Sequence, residues 1–161
     1  LGGFLGEEVT LEDPPVFIAP SCWTVNCRSE DMQIFMMLDV AGHLQRLRTS
    51  FDPHALALQV APIETAAEAK EVALHRLADL QMLVPGSHAA WDQAPVRRNR
   101  MAWNQPPTYV ASTDVWQMAW IVTASAEVQP YRLALVLDRR TGIPVLLWRG
   151  PVKRAGLALN P

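Results

Sequence analysis

Little in this sequence announces a reaction. It has no glycine-rich phosphate loop, Gly2-Gly3 standing at the start of the chain, and no Ser-x-x-Lys, Gly-x-Ser-x-Gly or His-Glu-x-x-His pattern. The usual sequence signals of phosphate cradling, serine acylation and zinc proteolysis are therefore missing. No apolar run approaches the ~20 residues a membrane helix needs; the longest, 32–38 and 115–122, have strand length. The first residue is Leu, and the opening stretch has neither a basic n-region nor an apolar h-region; a leader or anchor removed upstream is compatible with this start. Net charge is −2 with no nucleic-acid reading motif, which disfavours a nucleic-acid partner. Cysteine is limited to Cys22 and Cys27.

What is present suits a packed core. The chain has 161 residues, half of them apolar and 19% charged, enough for one domain or two small fused ones. Charge is unevenly spread: residues 1–90 hold 12 acids and 5 bases, residues 91–161 hold 4 acids and 9 bases. The plainer reading is two solvated faces that attract each other; the sharper is a basic surface for an acidic partner.

One phrase is written twice. Residues 33–47 and 132–147 each run from apolar residues into Leu-Asp, through a tight turn closed by Gly, into a second apolar run: Leu38-Asp39 to Gly42, and Leu137-Asp138 to Gly142. Both read as β-hairpins. Val16-Phe17-Ile18 and Trp23-Thr24-Val25 are short strand candidates, and Val115–Thr123 alternates as a strand does. Between the copies, Thr65-Ala66-Ala67-Glu68 is a capping box. After it Ala69, Ala73, Leu77, Leu80 and Val84 recur at helical spacing until Pro85-Gly86, predicting about 20 residues of helix. Residues 86–113 read as a polar stretch interrupted at Pro106-Pro107, with Arg97–Trp103 an irregular edge strand, and Pro144 requires an edge or a bulge. The order strands, helix, strands predicts an α+β fold: one long helix packed on a curled antiparallel sheet. Residues 1–60 form an N-terminal strand and hairpin segment, 61–150 a helix-plus-sheet unit and 151–161 a tail.

The helix beginning Thr65-Ala-Ala-Glu-Ala-Lys-Glu-Val-Ala-Leu, the strand with Trp116 and Trp120, and the turn Leu137-Asp138-Arg-Arg-Thr-Gly142 together resemble a PepSY domain over about 65–148. Leu38-Asp39 to Gly42 then resembles a second, degenerate unit of a tandem. The chain departs from that pattern in its 86–113 insert and in lacking a clear first helix. The resemblance implies a cystatin-like module outside the cytoplasmic membrane, secreted, periplasmic or in the cell envelope. It also implies a role in restraining or regulating a protease or envelope partner, with no catalytic residues to carry over; it is an analogy of fold.

Individual clusters say less. Glu71, His75 and Asp79 form one helical ridge, read as a solvated face with ion pairing rather than a metal site, since only two of the three can share an ion. Ser21-Cys22-Trp23 echoes a papain-type nucleophile, which needs a helix directly after it. The Cys22–Cys27 spacing permits a small-loop disulfide. His43, His54 and His88 read as surface residues. Trp116 and Trp120 face one side of their strand and are expected under the helix; if that face is open, they make an apolar patch with Trp148 and Met118, rimmed by Arg97, Arg98 and Arg100 beside Trp103, suited to a partner. The expectation is a non-catalytic interaction module with a protein partner and no cofactor, metal or catalytic residue. The alternatives are a small-ligand site in the concavity between helix and sheet and, more remotely, a Cys22-dependent hydrolase.

Overall fold

The computed structural model describes residues 8–51, 61–78, 101–110, 114–122 and 131–151, with only the backbone of 51, 101–106 and 120–122 described. Among these, β1 (Thr10–Leu11), β2 (Val16–Ile18), β3 (Cys22–Arg28), β4 (Met32–Asp39) and β5 (Leu44–Phe51) precede a single helix, α1 (Ala66–Ala78). Then come β6 (Met101–Val110), β7 (Val115–Val122), β8 (Tyr131–Asp138) and β9 (Pro144–Pro151). All nine strands belong to one antiparallel sheet, in the order β1-β3-β4-β5-β9-β8-β7-β6, with β2 beside β1 on the outer edge of β3.

This corrects the expected α+β, cystatin-like arrangement of a long helix on a sheet. The helix has 13 residues, and the nine-stranded sheet organises the core. The buried stripe of α1 is Ala69, Ala73 and Leu77. Two alanines bury little apolar surface, so the large buried side chains come mainly from strands: Met32, Ile34, Leu44, Leu47, Leu133 and Leu135. Leu80 and Val84 lie outside the described residues. The capping box forms as its sequence dictates: Thr65 Oγ1 accepts from the Glu68 amide at 3.2 Å, and Glu68 Oε2 accepts from the Thr65 amide at 3.1 Å. Pro106-Pro107 does not end a strand. β6 runs through both on an edge of the sheet, with register shifts on either side of Gln105, where missing amide donors cost little.

The repeated phrase proves to be a repeated structure. β4 and β5 pair with a bulge between Met37 and Leu38; β8 and β9 pair with a bulge between Val136 and Leu137. Trp23 lies opposite Leu38, and Trp116 opposite Leu137. Phe17 lies opposite Trp23, and Tyr109 opposite Trp116. β2-β3-β4-β5 therefore corresponds strand for strand to β6-β7-β8-β9. The two units meet where β5 pairs with β9, and the pairs Arg46–Trp148, Leu47–Leu147 and Arg48–Leu146 are symmetric about Leu47–Leu147. A pseudo-twofold axis passes between these two leucines, both fully buried.

Each hairpin turn is built by its aspartate. Asp39 Oδ1 accepts from the Ala41 and His43 amides at 2.9 and 2.8 Å; Asp138 Oδ2 accepts from the Thr141 amide and hydroxyl at 2.9 and 2.8 Å. Gly42 (φ 84°) and Gly142 (φ 67°) occupy the left-handed position that closes each turn. Asp39 also accepts from Arg149 Nη2 at 2.8 Å through Oδ2, which ties the first turn to β9. The axis-related position holds Thr49, whose hydroxyl donates to the Pro144 carbonyl at 2.7 Å. Residues 49 and 149 thus each reach from one unit to the start of the other unit's second hairpin strand or its turn.

The seam and the first turn each carry a prediction. Leu47→Ala and Leu147→Ala each lower stability by about 2–5 kcal/mol in urea titration. The double variant loses measurably less or more than the sum, because the side chains share one contact; strict additivity contradicts the pairing. At the turn, partial burial pushes the Asp39 carboxyl up, but the His43 amide, the Arg149 guanidinium and the charge of His43 outweigh that and hold it below its ordinary value. A carboxyl lowered on folding stabilises fully above its unfolded value of about 3.9, and that contribution is lost as pH falls through the folded value. Asp39→Asn therefore flattens the acid limb of the stability profile below about pH 4, read from urea midpoints against pH.

Candidate functional site: two equivalent corners, one covered and one open

Each unit has a corner where the hairpin turn meets an aromatic pair on the core face of the sheet. In the second unit the pair is Tyr109 and Trp116, with ring centres 5.7 Å apart and planes at 52°. In the first it is Phe17 and Trp23, at 4.9 Å and 56°. The strand registers put both pairs in equivalent places, and the two geometries agree closely.

The second corner is closed by the segment leading into α1. Ile63 lies over the turn: its amide donates to the Arg139 carbonyl at 2.9 Å, and its carbonyl accepts from Trp116 Nε1 at 3.0 Å. A Cβ on Gly142 would meet the side chains of Val72 at 3.4 Å and Ile63 at 3.6 Å, so these two cover the glycine. Charges fasten the rim. Arg139 Nη2 donates to Glu64 Oε1 at 2.6 Å, Asp114 lies 3.6 Å from Arg139 and 3.1 Å from Arg140, and the Tyr109 hydroxyl donates to Asp114 at 2.8 Å. That last bond, with the aspartate's charge, raises the Tyr109 phenol above its ordinary value. Trp116 is left 7% exposed.

The first corner has the same frame and no cover among the described residues. Trp23 is 38% exposed, and its indole N–H has no partner among the described residues. Gly42 faces open space, with nothing within 4 Å of where a Cβ would stand. The shorter turn places Val40 and Ala41 where the second has Arg139, Arg140 and Thr141; Val40 is 68% exposed. β2 places exposed Phe17 beside Trp23, with Val16 and Ile18 exposed on the other face of the strand. Leu11, Val16, Phe17, Ile18, Trp23 and Val40 are six of the eight large apolar side chains exposed among the described residues.

The sequence-predicted residues fall elsewhere. Trp116 is buried under Ile63 and offers no surface. Trp103 and Trp120 face each other across the β6–β7 ladder; their side chains, and all of Arg97, Arg98 and Arg100, lie outside the described residues. Cys22 and Cys27 are free and buried, five positions apart in one strand and therefore on opposite faces, which overturns the disulfide. Burial, with the nearby charge of Glu12, raises the Cys27 thiol above its ordinary value. Cys22 opens a strand rather than a helix, so the helix that a papain-type nucleophile begins is missing at this position. Glu71 and His75 stand exposed on α1, and Asp79 lies outside the described residues. His43, read as a surface residue, contacts Asp39 at 3.3 Å. A cavity of about 300 Å³, lined by Glu12, Asn26, Gln33, Phe35 and Arg48, lies on the face opposite the core rather than between helix and sheet. On that face the Trp148 indole lies directly over Gly150, leaving no room there for a side chain.

Trp23 was legible as a strand residue but not as a site. Its link to the Leu-Asp turn matches that of Trp116, but the intervening loops differ in length, and only strand register exposes the match. Among the described residues no helix is long and apolar enough to cross a membrane, and no three His, Cys, Asp or Glu side chains converge as metal ligands.

The covered corner makes a direct prediction. Ile63→Ala costs about 2–4 kcal/mol by urea titration and raises the acrylamide quenching of Trp116, identified by its loss in Trp116→Phe. Quenching unchanged by Ile63→Ala would mean that Ile63 does not shield the indole.

No family model, curated protein or solved structure matches this chain, so the PepSY resemblance rests on the sequence pattern of residues 65–148 alone.

Proposed function

We propose that this chain is a non-catalytic protein-interaction module that docks its partner on the edge formed by β2 and the open corner at Trp23 and Val40. The observation that carries this reading is the exposed Phe17–Trp23 pair beside the exposed turn residue Val40, along an outer strand whose Val16 and Ile18 are exposed on the other face. Scattered apolar residues are normal on a surface; a contiguous group marks a place where something else binds. A Trp beside a Phe is the kind of anchor that dominates protein interfaces.

The backbone supports the same reading. Among the described residues β2 pairs only with β3. Its outer side therefore presents N–H and C=O groups that a partner's strand can join, with the alternating side chains of Val16, Phe17 and Ile18 supplying selectivity. Pro14, Pro15 and Pro20 flank the strand and keep it short, which limits indiscriminate edge pairing. Asp39, Glu68, Asp114 and Asp138 are each engaged in a turn, cap or rim contact.

Photo-crosslinking from the full chain tests this. A crosslinker at Ile18 yields a discrete protein adduct in an extract of the source cells, one at Gln117 in β7 of the second unit yields none, and Phe17→Ser with Trp23→Ser abolishes the first. Each ring is more than half buried and the two pack together, so the double serine variant costs about 1–4 kcal/mol, and a urea titration checks that it stays folded where the adduct is read. No adduct from position 18, or equal adducts from both positions, refutes the proposal.

A further inference from the structure

The pseudo-twofold axis makes one corner a template for the ligand of the other. The covered corner shows what the frame accepts, and the open corner repeats the frame with altered rim residues. Three independent features mark the first corner as open: the Trp23 indole donor has no partner among the described residues, Gly42 faces open space, and Val40 stands in solvent where the backbone of Arg139 holds Ile63.

We infer that the open corner binds an extended peptide segment of a partner protein as the covered corner binds Ile63. One branched aliphatic side chain sits over Gly42 and against Trp23. The same residue donates its amide to the Val40 carbonyl and accepts from Trp23 Nε1. This deepens the docking surface proposed above and rests on it.

The altered rim sets the specificity. Glu64 comes directly after Ile63 in the covered corner and pairs with Arg139 at 2.6 Å. In the open corner the equivalent turn position is Val40, which offers a carboxylate no counter-charge and would strip its water. The partner's residue after the aliphatic anchor is therefore apolar. A capped helical turn comes next, because α1 begins just beyond Glu64 and Val72 of that helix shares the cover over Gly142. The second copy of this chain is the poorer occupant: its Ile63 is already engaged, and an acid stands beside it.

The test uses the intact protein and a synthetic peptide of residues 61–78 carrying Glu64→Val, monitored by the nitrogen-15 indole signals, with Trp23 assigned by its absence in Trp23→Phe. The Trp23 N–H signal moves downfield as it gains an acceptor, and the Trp116 signal stays. Replacing Ile63 by Ala in the peptide weakens binding at least about tenfold. The peptide with its natural Glu64 binds less tightly to the wild-type protein, and Val40→Arg reverses that order, since the new guanidinium restores the pairing seen at Arg139.

No Trp23 shift up to about 1 mM peptide overturns the inference. So does a shift confined to Trp116, equal binding of the Ile63→Ala peptide, or an order of affinities indifferent to Val40→Arg. Concentration-dependent self-association in sedimentation, abolished by Trp23→Ser, assigns the corner to a second copy and overturns it too. The adduct from Ile18 in the crosslinking experiment survives each of these results if a partner docks on β2 in another way, so failure here is separable from failure of the docking reading.

Discussion

The pairing of β5 with β9 is the contact on which the rest of this molecule depends. It places Leu47 against Leu147 at 0% exposure for both, and its register is the one arrangement in which the two units become equivalent. A slip of one residue would turn every side chain of one unit to the wrong face. Because the strands are antiparallel, the two Asp-headed turns lie at opposite ends of the sheet. Each unit then reaches across the seam near its own end: Arg149 to Asp39, and Thr49 to the Pro144 carbonyl. The first is a largely buried ion pair and the second a buried neutral hydrogen bond.

The two corners show how a duplicated frame acquires two chemistries from few changes. The aromatic pair, the opposing leucine and the left-handed glycine are common to both. The differences begin in the turn, Val40-Ala41 against Arg139-Arg140-Thr141, and extend to the contacts each turn can make. Arg139 can hold Glu64 and share Asp114 with Arg140, so the cover of the second corner is latched by charge as well as by Ile63. These pairs stay in partial contact with water, and pairs open to water contribute little to stability. Their effect is on which segment fits and in what register, while the buried Ile63 and the Trp116 hydrogen bond carry the energy.

The features legible in the sequence were local ones. The two Leu-Asp to Gly hairpins, the strands at Val16 and Val115 and the Thr65–Glu68 cap depend on neighbouring residues, and the chain shows each directly. The dominance of the sheet over the helix was not legible. It depends on β5 meeting β9 and on β6 running through Pro106-Pro107, both consequences of pairing between distant segments. The alanine stripe of α1 looked like a strong helical signal because its period is clear, but period says nothing about buried area, and Ala69 and Ala73 bury little. The emphasis on Trp116 and Trp120 came from their spacing within one strand. The exposure that makes Trp23 the candidate comes from the lack of an Ile63 equivalent above it among the described residues, and no local pattern encodes that.

The position of the open corner also limits what an occupant can do. It lies at the opposite end of the β5–β9 pair from the latched corner. Any influence on the second unit has to pass through the first turn, by way of Asp39 and Arg149, to β9. Arg149 lies against the Tyr131 ring, 5.7 Å from its centre, and Tyr131 is a buried residue of β8. That route is short and made of packed groups, but it ends in strands whose core side chains are already fully buried and whose register is fixed along their length. A ligand can shift a protein only between arrangements that differ in affinity for it, and a close-packed, fully registered ladder offers it a single one. The physical expectation is therefore a rigid platform: the second corner holds its own chain in place, and the sheet keeps the first corner, where docking is proposed, at fixed distance from it.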